Sequence, residues 1–313
     1  MHNPSIRADS IFKLLDAKSY DKLADDFDLL TARYTAPIAE SIVAKAGLAA
    51  GDRVLDVGCG TGVLTLLAAR DVGSKGHVVG VDLSEGMLAK AAAITTSSGL
   101  AERIEWVRGD AEHLQFADKS FNAVVSLYAL RHFPNPDKAL REMFRCCAAG
   151  GRVLVAIGSA PRLLSMAGLR AAARRVGELS LRLLDRAPLQ APAHLDRLIE
   201  SHLGHGERVE HAAWTHGIKR FDQSLASQLN SAGFADVRVA WLGHSKVIDS
   251  VDEFWTLQFT LSTLARKRMQ AVSPEQVAAI RAEFNRQCTQ QLASGGRLLY
   301  RSGALVATAV RPS

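Results

Sequence analysis

In the first half of the chain, short runs that are apolar on both faces alternate with longer segments whose apolar positions recur at helical spacing. The runs 53–57, 77–82, 104–110, 121–127 and 152–157 carry no regular polar face. That pattern predicts strands buried on both sides, as in a parallel sheet. Between them, 61–71, 84–97 and 136–147 read as helices. Ser84 and Asn135 stand where N-caps belong, with Pro136 at the first helical position and Asp137 in the first turn. Five such alternations predict an α/β doubly wound sheet.

On either side the pattern changes. Residues 1–50 read as helices, with an apolar patch at Ile11, Phe12, Leu14 and Leu15, and a helix 37–46 from Pro37 to the stop at Gly47. After 157 the alternation ends. The stretch 159–225 reads as a helical cap insertion, with Leu163, Leu164, Met166 and Leu169 on its apolar side. Arg162, Arg170, Arg174, Arg175, Arg182 and Arg186 crowd the other side. These arginines form either a solvated face or a weak contact with a membrane surface or an anionic acceptor. A helix 222–232 stopped by Gly233, a strand 234–241, a helix 251–269, a helix begun at Ser273-Pro274 and a strand 304–310 complete the chain. The expectation is a single domain over 1–313, made of a cover (1–50), a core (51–158), the cap (159–225), and closing strands in 226–313 around a helical insertion, 249–295.

Composition narrows the function classes. The chain has 313 residues, 48% of them apolar, which suits a full core. The surplus of basic over acidic residues is 38 − 32 = 6, without the clustered basic face and interleaved aromatics of a nucleic-acid binder, so no nucleic-acid partner is expected. Cys59, Cys146, Cys147 and Cys288 show no C-x-x-C spacing. They read as buried small side chains in a reducing compartment, with Cys146 and Cys147 on different faces of one helix, and no metal is expected. No signal peptide and no run of transmembrane length is seen, so the expected location is cytoplasmic.

The chemistry concentrates at Val54-Leu55-Asp56-Val57-Gly58-Cys59-Gly60-Thr61-Gly62, a strand running into a glycine turn and a helix. Such a turn brings backbone close to a ligand at a helix N-terminus. A dinucleotide site wants G-x-G-x-x-G, but here the third glycine falls one residue early, at Gly62. Asp56 would repel a pyrophosphate, whereas it suits a ligand with an ammonium group, such as S-adenosylmethionine (SAM). Asp82 ends the second strand, where an acid can accept hydrogen bonds from ribose hydroxyls. Asp110 ends the third, beside the backbone N–H of Ala111, and that pair suits adenine. Ser126 falls near the carboxyl end of the fourth.

These motifs resemble class I SAM-dependent methyltransferases, most densely over 52–157. The runs 109–121 and 130–143 are similar to the ubiquinone/menaquinone C-methyltransferase group and to related small-molecule (secondary-metabolite) methyltransferases. The segment 19–28, mixing Tyr20 and Phe27 with acids, resembles the leader that closes over the cofactor in such enzymes. The chain departs from the quinone enzymes at Arg131-His132-Phe133, where they usually read R-N-V, and after strand five, where it has Gly158-Ser159-Ala160-Pro161.

The resemblance implies a seven-stranded Rossmann-like sheet closed by an antiparallel hairpin. It also implies SAM as cofactor, held by Asp56, Gly58, Gly60, Thr65, Asp82, Leu83, Asp110, Ala111 and Ser126. The expected reaction is methyl transfer to a carbon or oxygen of a hydrophobic small molecule: a polyketide, terpenoid, quinone or lipid. His132 is the candidate general base, with a packed loop residue as the plain alternative. Arg131 either stabilises an enolate or phenolate or pairs with a nearby acid. Phe254, Trp255, Leu257 and Phe259 either roof an acceptor pocket or form core. The alternative functions are a nicotinamide-dependent oxidoreductase and a SAM-binding scaffold without activity.

Overall fold

A computed structural model of the chain describes residues 4–158, 173, 188–191, 193–204 and 224–313. They fall into two compact units. The first holds the residues up to 158 together with 224–242 and 304–313. The second holds 188–191, 193–204 and 243–303. The cap arginines and Ser159-Ala160-Pro161 lie outside the described residues.

The first unit opens with helices α1 (Pro4–Asp21), α2 (Ala24–Leu30) and α3 (Ala36–Ala46), a π turn at Thr31–Thr35 lying between the last two. Then come β1 (Arg53–Val57), α4 (Val63–Asp71), β2 (His77–Asp82), α5 (Glu85–Ser98), β3 (Ile104–Arg108), β4 (Phe121–Leu127), α6 (Pro136–Cys146) and β5 (Cys147–Gly158). These five strands lie parallel in the order β3-β2-β1-β4-β5. Apolar residues alternate between the two faces of this sheet. Leu55, Val57, Val79, Val81 and Val155 look to a core shared with α6, and Val54, Val78, Ala123 and Ala156 to one shared with α3 and α4. Burial on both faces is why the strand sequences carry no polar stripe. The chain order reverses beside β1, so the carboxyl ends of β1 and β4 flank the crevice where ligands gather in such sheets.

The predicted caps are present. The Ser84 hydroxyl accepts from Met87 N, and Asn135 accepts from Lys138 N at 3.1 Å. Cys146 ends α6 while Cys147 begins β5, so the two cysteines do not share a helix as expected; all four are buried.

The closing elements are β6 (Leu189–Ala191), α7 (Ala193–Leu203), α8 (Leu225–Ala232), β7 (Ala235–Ile248), α9 (Val251–Leu261), α10 (Thr263–Gln270), α11 (Pro274–Ala293) and β8 (Leu298–Val310). β8 pairs antiparallel with β5 from Gly158↔Ala304 to Arg152↔Val310, and β7 also pairs with β8. The expected antiparallel closure is therefore present. Among the described residues the sheet has eight strands instead of seven, because β6, in a stretch expected to be helical, pairs parallel with Leu298–Tyr300 of β8.

In the second unit the expected helix 251–269 breaks at Ser262. That hydroxyl caps α10 by accepting from Ala265 N and donates to Asp196 at 3.0 Å. Phe254 and Leu257 are fully buried, and the Phe254 ring packs beside His194 and Phe284. They are core of this unit, the plainer of the two readings given to that helix. Trp255 and Phe259 stack on each other with ring centroids 6.2 Å apart, and the Arg281 guanidinium lies 4.4 Å from the Trp255 ring centroid.

Candidate active site

The glycine turn after β1 is held from behind by β2. Gly58 N and Cys59 N donate to the Val81 carbonyl at 2.8 and 3.0 Å. Gly58 and Gly62 adopt φ of 74° and 88°, conformations that an L side chain resists. Space forbids a side chain as well. A Cβ on Gly58 would stand 2.2 Å from Ala129 Cβ, and one on Gly62 would stand 2.4 Å from the Trp106 ring.

Asp56 sits beneath the turn, 1% exposed. Its Oδ2 accepts from the buried Thr65 hydroxyl at 2.6 Å, while its Oδ1 has no partner among the described residues. Burial pushes this carboxyl up to about 7, against the lowering effect of the Thr65 hydrogen bond. A buried carboxylate oxygen without a partner is costly, and an ammonium group is the ligand chemistry that would satisfy it.

Asp82 accepts from Gly60 N and Ser84 N, both at 2.9 Å. It therefore fastens the glycine turn to the start of α5, with Leu83 between Asp82 and Ser84 in sequence. Burial raises its pKa, in opposition to the backbone donors.

Asp110 accepts from Glu112 N at 2.9 Å and from Lys13 Nζ at 2.8 Å. Burial would raise the Asp110 pKa, but the Lys13 ammonium and the Glu112 N–H leave it lowered. Lys13 also reaches Glu112 Oε2 at 2.9 Å. The Ala111 methyl is buried in the sheet core.

Ser126 is fully buried, and its hydroxyl donates to the Val57 carbonyl at 2.8 Å, which ties β4 to β1. Beyond β4 the backbone of Tyr128 turns through φ 61°, rare for a bulky residue, and leads into a single 3-10 turn, Leu130–His132. Arg131 is exposed there, and the half-buried His132 brings Nδ1 within 3.1 Å of Asp16 Oδ2.

The leader supplies partners that sequence reading missed: Lys13, Asp16 and Asp21. The Asp21 Oδ1 accepts from the Ser84 hydroxyl at 2.6 Å and from Gly86 N at 3.0 Å. Gly86 allows this approach, since a Cβ there would meet Asp21 Cα at 2.6 Å. Lys90 Nζ pairs with Asp25 at 2.7 Å. The only local signal was the acidic character of 16–28. The partners lie 63 to 116 residues away, where no periodicity reaches.

A Rossmann-like parallel sheet, a glycine turn after its first strand and an acid at the end of each of the next two define a nucleotide-ligand crevice of methyltransferase type. Residues 54–151 match the family model described as a methyltransferase domain. The chain is 41% identical over 117 residues to the ubiquinone/menaquinone biosynthesis C-methyltransferase UbiE of Vibrio cholerae, covering 37% of this chain and 45% of that protein. It is 36% identical over 146 residues to the demethylmenaquinone methyltransferase of Symbiobacterium thermophilum, covering 45% of this chain and 58% of that one. The chain thus spans about half the length of the curated relatives it matches. In fold it is similar to the YcgJ protein from Bacillus subtilis, with a TM-score of 0.50 at 19% identity over 88% of this chain and 98% of that one.

Proposed function

We propose that the chain is a SAM-dependent methyltransferase acting on a carbon or oxygen of a hydrophobic small molecule. The observation that carries this reading is Asp56: a buried carboxylate with one oxygen unsatisfied among the described residues, set under a glycine turn with no room for side chains at Gly58 and Gly62. That combination fits the ammonium end of SAM better than a pyrophosphate. It supports the methyltransferase reading over a nicotinamide oxidoreductase. In this reading Asp56 holds the ammonium, with Thr65 orienting it. Gly58 and Gly60 let the amino-acid part lie against backbone. Asp82 and Leu83 meet the ribose, and Asp110 with Ala111 meets the adenine, while Ser126 keeps the crevice walls in register.

SAM, when bound, supplies a methyl group on a sulfonium, with the leaving group already activated. The chain's own residues then have to align the acceptor and exclude water. Alignment alone is worth on the order of 7–11 kcal/mol. His132 would take the proton that an acceptor hydroxyl or acidic carbon gives up, and Arg131 would balance the negative charge left on the acceptor. The leader helices would shield the crevice.

The quinone-acting relatives favour an aromatic ring of quinone type as the first acceptor to try. Methyl-labelled SAM should be incubated with the enzyme and, separately, with demethylated quinone analogues, an apolar metabolite extract and an aqueous one. The label should move into organic-soluble product, and His132→Gln should slow that transfer by about 100-fold. Label moving only into the aqueous fraction would overturn the acceptor class.

A further inference from the structure

We propose that Asp16, on the N-terminal helix, is a positioning residue for His132. Its carboxylate holds the imidazole in the Nδ1–H tautomer, so that Nε2 carries the lone pair that receives the acceptor's proton. The inference rests on the methyltransferase reading above and extends it to a residue outside the matched domain.

The geometry points there in three ways. Asp16 Oδ2 and His132 Nδ1 are 3.1 Å apart although 116 residues separate them in sequence. Asp16 is 6% exposed, and a carboxylate is not buried cheaply without a charged or donating partner. One helical turn further on, Tyr20 meets the imidazole edge to face, ring centroids 5.6 Å apart and planes at 82°. Carboxylate and ring together fix both the position and the rotation of the imidazole.

The tautomer follows from hydrogen-bond chemistry. An ionised carboxylate can only accept, and a neutral imidazole has one N–H. Nδ1 must therefore be the donor and Nε2 the acceptor. Once Nε2 has taken a proton, the same carboxylate stabilises the imidazolium.

The helix is held at both ends of this contact. Lys13 is anchored on Asp110 and Glu112, and Asp21 on Ser84 and Gly86. The base is thus complete only when the leader is docked. A sequence reading confined to the methyltransferase domain cannot find it.

The test uses the full chain, with long-range proton–nitrogen NMR of the His132 ring, assigned by its loss in His132→Gln and recorded where the imidazole is neutral. The wild type should show the Nδ1–H tautomer, Asp16→Glu should keep it, and Asp16→Asn should shift it toward Nε2–H. Calorimetry should give SAM affinity within about threefold of wild type for both variants. With an acceptor in hand, Asp16→Asn should lower kcat about 10- to 100-fold with little change in acceptor KM. A wild-type His132 found in the Nε2–H form would overturn the proposal, even if Asp16→Asn fails to fold. So would an unchanged tautomer in a folded Asp16→Asn. Loss of SAM binding by the wild type would instead overturn the methyltransferase reading and leave the tautomer result standing.

Discussion

Asp56 carries the most information for a single side chain. Its ordinary pKa of 3.8 is pushed up to about 7, chiefly by burial. Because the folded value exceeds the unfolded one, the folded chain keeps a proton that the unfolded chain loses between about pH 4 and pH 7. This group's contribution to stability is therefore full below about pH 4. It falls as pH rises to about 7, by up to about 4 kcal/mol, and is level above that. A cationic ligand works the other way, since it favours the carboxylate. SAM binding at pH 6 should accordingly release close to one proton, read as a difference in calorimetric heat between buffers of unlike ionisation enthalpy. Asp56→Asn should release none. Equal heats in the two buffers for the wild type would remove Asp56 from the ammonium site. The sequence puts Asp56 near the end of β1, just ahead of the glycine turn, because an apolar strand running into spaced glycines is a local signal. It said nothing of the unpaired Oδ1, which depends on how Thr65 comes round one turn of α4 to take the other oxygen.

Among the elements, the strands of the first five strand–helix alternations were the most legible. β1, β2 and β4 occupy the predicted ranges: the first two are short apolar runs bounded by glycine or aspartate, and β4 follows the polar loop Asp118-Lys119-Ser120. Three features depended on distant partners and were not legible. β8 starts at Leu298 instead of 304 because it pairs with β6. The aromatic helix breaks at Ser262, whose hydroxyl is shared between a cap and Asp196. The leader's ties to Asp110, His132 and Ser84 form only in the folded chain. The leader also has a consequence of its own. Asp21 takes two hydrogen bonds from the N-terminus of α5, one of them from the capping Ser84. Asp21→Ala should loosen α1 while the sheet keeps its stability. Limited proteolysis should then cut within the first 30 or so residues faster than in the wild type, and SAM affinity should fall by roughly 10-fold. Unchanged cleavage and unchanged affinity would mean that the leader is anchored by other contacts.

For the molecule as a whole, composition speaks to a packed core and not to the acceptor. A surplus of six basic residues over 313 and nearly half apolar content point to a globular chain, and among the described residues no helix is long and apolar enough to cross a membrane. The second unit has its own core, in which Phe254, Phe284 and the buried His194 pack together. Burial, aided by Arg197, lowers the His194 pKa to about 4, so this imidazole is neutral at pH 7. What enters the crevice at the carboxyl ends of β1 to β4 decides the function. The direct measurement is isothermal titration calorimetry of the full chain with SAM, with S-adenosylhomocysteine and with NAD. SAM and S-adenosylhomocysteine should each bind at one site per chain, with affinity reduced about 10- to 100-fold in Asp82→Ala, and NAD should give no heat of binding. Binding of NAD, or SAM binding that a folded Asp82→Ala variant leaves unchanged, would contradict the account.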